Sequence, residues 1–138
     1  MKVLALDYGS ARTGVAVSDE TGTLARPVGV VERASTRAGL ERVAALVAEH
    51  GAERVVVGLP LTLKGERGEQ ARETEAYATA LAGIVSVPVE LYDERFTTRL
   101  AERAGGRADE DSRAAAHLLE GWLASQPGSL EGGEASRA

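Results

Sequence analysis

A chain of 138 residues, 43% apolar and only 4% aromatic, is long enough for one globular domain with a core of Val, Leu and Ala. Without a cysteine it can form no disulfide, thiolate zinc site or cysteine nucleophile. A net charge of -5 excludes bulk coating of nucleic acid, which draws on clustered cations, and no apolar run approaches the roughly 20 residues of a membrane span.

The N-terminus enters a strand directly, with no cleavable signal pattern, so a cytoplasmic protein is expected. Residues 2–18, KVLALDYGSARTGVAVS, read as strand, tight loop, strand: Val3 to Leu6 are unbrokenly apolar, and Gly9 and Gly14 punctuate the turn. Asp7 ends the first strand, either as a loop cap or as a rigidly held carboxylate at the edge of the core. Asp19-Glu20-Thr21-Gly22 is a hairpin turn into a third strand over 24–31, which Pro27 marks as an edge. A helix over 36–49 follows, its stripe carried by Leu40, Val43, Ala44 and Val47, with Ser35 or Thr36 to cap it and Gly51 to end it. Arg54 to Gly58 is a strand apolar on both faces, hence central and parallel to the first.

The loop over 61–68, LTLKGERG, lies at the carboxyl end of that strand, where open α/β sheets bind ligands, and its Lys64 and Arg67 are candidates for touching a phosphate backbone. A second helix over 69–82 has a weak apolar stripe, a fifth strand spans 88–92, and a short helix over 97–103 leads to a glycine-bearing connector. The last helix, over 111–125, sets Ala115, Leu118 and Trp122 on one face. The tail over 126–138 is too poor in apolar residues to order itself, leaving a single domain over 1–125.

Three carboxylates stand out. Asp7 and Glu94 end two strands that, if parallel, bring both acids to one sheet edge. Of the consecutive Asp109, Glu110 and Asp111, helical phase selects Asp111, which shares the buried stripe, whereas Glu110 runs with Arg113 and His117. Converging acids repel unless a divalent cation neutralises them, and hard oxygen ligands suit Mg²⁺ or Mn²⁺, the chemistry of phosphodiester hydrolysis. The alternative is structural, with Asp111 a helix N-cap and Glu94 a partner of Arg99. Arg95, Arg99, Arg103 and Arg107 recur every four residues, either as one basic stripe for phosphate or as a solvated face pairing with Glu94 and Glu102. His50 and His117 are not phased with a Ser and an Asp, so the histidines do not point to a Ser-His-Asp hydrolase and are expected at the surface.

Taken together, LALDYGSARTGVAVSD, VVVGLPLTLKGERG, VELYDERFTT and the DSRAA of the last helix resemble the YqgF, or RuvX, family of small RNase H-like nucleases. The resemblance implies an RNase H-like fold, a five-stranded mixed sheet with helices on both faces, and metal ligation by Asp7, Glu94 and Asp111. It also implies substrate contact by Arg12, Thr97 and Thr98, beside the Lys64, Arg95 and Arg99 drawn from charge. Ala11 departs from the Lys common in the first motif. Members are described as nucleases trimming the 5′ end of precursor 16S rRNA and have also been assigned to Holliday junction resolution, so RNA is the expected partner and a DNA junction the alternative. A resolvase cutting two strands symmetrically should be a homodimer, and a trimming enzyme can be a monomer. Two other classes compete: an actin-like ATP-binding domain, which needs two domains where this length supplies one, and a nucleic-acid scaffold without activity.

Overall fold

The computed structural model describes residues 1–60, 68–93 and 108–126. Among them the chain runs β1 (Val3–Asp7), β2 (Arg12–Ser18), β3 (Ala25–Glu32), α1 (Arg37–His50), β4 (Arg54–Leu59), α2 (Glu69–Ala82), β5 (Val89–Asp93) and α3 (Ala108–Ser125). The strands form one sheet in the order β3-β2-β1-β4-β5. Short connections keep β1, β2 and β3 antiparallel, while β4 pairs in parallel with β1 on one side and β5 on the other. The apolar runs of β1 and β4 therefore lie in the middle, buried on both faces, and Pro27 lies in the edge strand β3, where its missing N–H costs no ladder bond.

Strand alternation divides the core in two. Leu4, Leu6, Val15, Val55 and Val57 face α1 and α2 and pack with Val43, Leu46, Tyr77 and Leu81. Val3, Ala5, Ala16 and Val56 face α3 and pack with Ala115, Leu118, Leu119 and Trp122. Each Leu or Val fully buried in this way contributes about 1.5–3 kcal/mol. The second face is built from small residues, so α3 lies close to the sheet. Trp122, fully in this core, donates its Nε1–H to Glu90 Oε2 at 2.8 Å, and Arg54 meets Glu90 Oε1 at 2.8 Å, tying α3 to β5 and β5 to β4.

Local signals set the ends of the elements. The Thr36 hydroxyl accepts from Gly39 N–H at 3.0 Å and caps α1, and Gly51, with φ 65°, takes the left-handed conformation that closes it. In the β2–β3 hairpin Asp19 Oδ1 accepts from Thr23 and Leu24 N–H, and its Oδ2 from the Thr21 hydroxyl. Three expectations shift. The fifth strand begins at Val89, one residue beyond Pro88. The stripe of α2 is stronger than its sequence suggests, because Ala71, Thr74, Tyr77, Ala78 and Leu81 are all buried and Gln70 is not. The last helix begins at Ala108 rather than Asp111, so Asp111 is inside the helix and is not its N-cap. The expected short helix over 97–103 and the tail over 127–138 lie outside the described residues.

Candidate functional site

Asp7 is the last residue of β1 and has the parity of Val3 and Ala5, which places it on the α3 face of the sheet. Directly opposite it on β2 is Gly14. A Cβ on Gly14 would collide with the Asp111 carbonyl, so the missing side chain seats the first turn of α3 against β2 at the level of Asp7. The two carboxylates thus arrive at one end of the sheet by two routes, one by strand termination and one by the close approach of a helix.

Arg12, the first residue of β2, completes the group: its Nε lies 2.8 Å from Asp111 Oδ2. That oxygen is buried, yet among the described residues no hydrogen-bond donor is directed at it, so the pair is a charge contact rather than an aligned fork. The loop between β1 and β2 is held rigidly. The buried Thr13 hydroxyl donates to Gly9 O at 3.3 Å and accepts from Gly9 N–H at 3.4 Å. A Cβ on Gly9 would lie 2.6 Å from Arg12 O, which leaves no room for a side chain. Ala11 O accepts from Arg33 N–H at 3.0 Å, and Arg33 itself has φ 49°, a left-handed conformation that a non-glycine residue adopts only under constraint. Its carbonyl is fixed in turn by Thr36 N–H at 3.0 Å and the Thr36 hydroxyl at 2.7 Å.

On the other side of the same loop a cleft of about 320 Å³ is lined by Tyr8, Gly9, Ser10, Glu69, Gln70 and Glu73. Behind it the Tyr8 and Tyr77 rings stack with centroids 4.4 Å apart. Tyr77 Oη is buried without a hydrogen-bond partner among the described residues, and desolvation pushes the phenol well above its ordinary range.

Of the residues singled out from sequence, the structure pairs Arg12 with Asp111 and seats the Asp111 turn on Gly14, across from Asp7. Glu94, Lys64, Arg95, Thr97, Thr98 and Arg99 lie outside the described residues. Among the described residues no group of three or more His, Cys, Asp or Glu side chains converges. The donor set that is present, two carboxylates at one sheet end with a buried Asp111 oxygen that no donor among the described residues satisfies, fits a hard divalent cation. Sequence reasoning gave no role to Thr13 or Gly14 beyond the turn, and treated Arg12 as a substrate contact rather than the partner of Asp111. The Gly14 signal was available, since a glycine inside a strand often marks the close approach of another backbone.

Comparison with known proteins bears on the family and the fold. The chain is 39% identical over 130 residues to a protein of Chloroflexus aurantiacus named "Putative pre-16S rRNA nuclease", covering 88% of this chain and 85% of that one. It is 42% identical over 132 residues to a protein of the same name from an Anaeromyxobacter species, covering 89% and 96%. Among solved structures it resembles Thermus thermophilus RuvC in complex with a Holliday junction substrate, with TM-score 0.57, 19% identity and coverage of 89% and 93%. It also resembles the fowlpox virus Holliday junction resolvase, with TM-score 0.55, 11% identity and coverage of 91% and 100%. At such identities the likeness shows the fold, which is RNase H-like. The family model described as "RuvX: Holliday junction resolvase" matches residues 1–125, and the chain belongs to that RuvX family.

Proposed function

We propose that the chain is a divalent-metal-dependent nuclease that processes the 5′ end of precursor 16S rRNA. The observation that carries this reading is the seating of the Asp111 turn on Gly14, directly across from the carboxylate that ends β1. Family membership and the names of the relatives support the substrate class.

Asp7 and Asp111 would hold the ion, with Glu94 as third ligand. Glu94, the residue after the end of β5, enters from its place in the sequence and from the family resemblance. When bound, Mg²⁺ or Mn²⁺ supplies Lewis acidity, lowering the pKa of water and offsetting charge on the phosphoryl oxygens. The chain's own residues supply position. The Thr13–Gly9 bonds fix the loop that follows Asp7, the Gly14 contact fixes the height of Asp111, and Arg12 is the cation at hand for a non-bridging phosphate oxygen. Arg95, Arg99, Thr97, Thr98 and Lys64 are proposed to continue the substrate track from Arg12.

The test is cleavage of an end-labelled precursor 16S rRNA fragment with Mn²⁺ and with EDTA, by the wild type and Asp7→Asn. Cutting that needs the ion and is lost in a folded Asp7→Asn protein supports the proposal. An active Asp7→Asn protein would overturn the site. The family description and the RuvC-like fold favour one second reading, resolution of four-way DNA. A synthetic junction assayed in parallel separates the two, because symmetrical cutting of the junction with the RNA left intact replaces the first reading by the second.

A further inference from the structure

We infer that Arg12 is a resident counter-cation of Asp111 which a divalent ion displaces, so that ion binding and release of the guanidinium are one event. This rests on the metal reading of the site.

Three observations support it. The Arg12 guanidinium is in contact with Asp111 Oδ2, a buried oxygen with no aligned donor among the described residues, so the charge is neutralised without the directed hydrogen bond that would lock the pair. Both side chains keep access to solvent, 39% for Arg12 and 25% for Asp111, and Arg12 opens the strand, so its departure uncovers no core. Cross-strand from Arg12 is Glu32, exposed at the end of β3, a second carboxylate beside which a released guanidinium can rest.

The same oxygen cannot serve both cations. An ion on Asp111 would stand within a few ångströms of the guanidinium, and two positive charges at that range repel strongly in a partly desolvated site. Without the ion, Arg12 offsets the charge that Asp111 would otherwise hold uncompensated. With it, Arg12 is freed at the same sheet end, where a phosphate would lie.

The experiment has two arms. The first follows the Arg12 Nε–H resonance of the wild type by ¹H–¹⁵N NMR during a Mg²⁺ titration, the peak being identified by its absence in R12K. The expected result is a shift that saturates together with Mg²⁺ binding measured by calorimetry; a resonance that stays fixed while the ion binds overturns the inference. The second compares Mn²⁺ affinity in the wild type, R12Q and R37Q. Arg37 pairs with Glu41 on α1, so R37Q removes the same charge without touching Asp111. R12Q should bind Mn²⁺ about tenfold more tightly, corresponding to about 1.4 kcal/mol, with R37Q close to wild type. Equal affinities, or an equal gain in R37Q, overturn the inference. Absence of Mn²⁺ binding in all three overturns the metal reading itself, which separates the two failures. If R12Q does not fold, the wild-type NMR arm decides alone.

Discussion

Gly14 carries more of the site than its size suggests, because helix α3 can reach the end of β1 only where β2 has no side chain. In Gly14→Ala the added methyl must push the Asp111 turn away from the sheet. Overpacking of this kind costs about 1–3 kcal/mol, read by urea denaturation, and cleavage per folded molecule should fall as well, since Asp111 retreats from Asp7. Tyr77→Phe should behave in the opposite sense. Its hydroxyl is buried with no partner among the described residues, so removing it deletes a desolvated polar group and leaves the ring stack on Tyr8 intact. Stability in the same assay should be unchanged or higher by up to about 1 kcal/mol.

Each element is held by a few directional contacts, and these are what pH and substitution should disturb. In the β2–β3 hairpin three donors converge on Asp19, the Thr21 hydroxyl first and then the N–H groups of Thr23 and Leu24, and lower its pKa from 3.8 to about 2. The hairpin's contribution is therefore complete above about pH 4 and is lost as pH falls through about 2, when Asp19 is protonated in the folded state too. The exchange protection of the Thr23 and Leu24 amides, relative to their intrinsic rates, should fall across that window in the wild type and should be absent throughout it in Asp19→Ala. On α3, Trp122→Phe keeps the packing but removes the donor to Glu90, at a cost of about 1.5–3 kcal/mol for a bond to a charged acceptor, measured by thermal unfolding. Much at this scale was legible in the chain. The unbroken runs of β1 and β4 announced central strands, Pro27 an edge, and Thr36 and Gly51 the ends of α1. The start of α3 was not, because Asp109, Glu110 and Asp111 are equally acceptable near a helix N-terminus. Local pattern cannot distinguish the helix starting at Ala108 from one capped by Asp111. The Arg12–Asp111 pair was illegible for another reason: it exists only through the tertiary approach at Gly14.

Over the whole molecule, the buried apolar side chains of the described residues run from Val3 to Leu123, so a chain ending at Gln126 should keep its fold. Its melting temperature should match that of the full chain within about 2 °C, since every core contact among the described residues is kept. The sheet meanwhile divides the work of the molecule. One face is covered by α1 and α2; the other is covered by α3, the last helix among the described residues. The helix that closes the second core is the one that brings Asp111. On a chain emerging from the ribosome N-terminus first, Val3, Ala5, Ala16 and Val56 stay uncovered and Asp7 stays without its neighbour until α3 is released. Under the proposed function, closure of the second core and assembly of the Asp7–Asp111 site are then one step, and a product lacking α3 should lose both stability and cleavage.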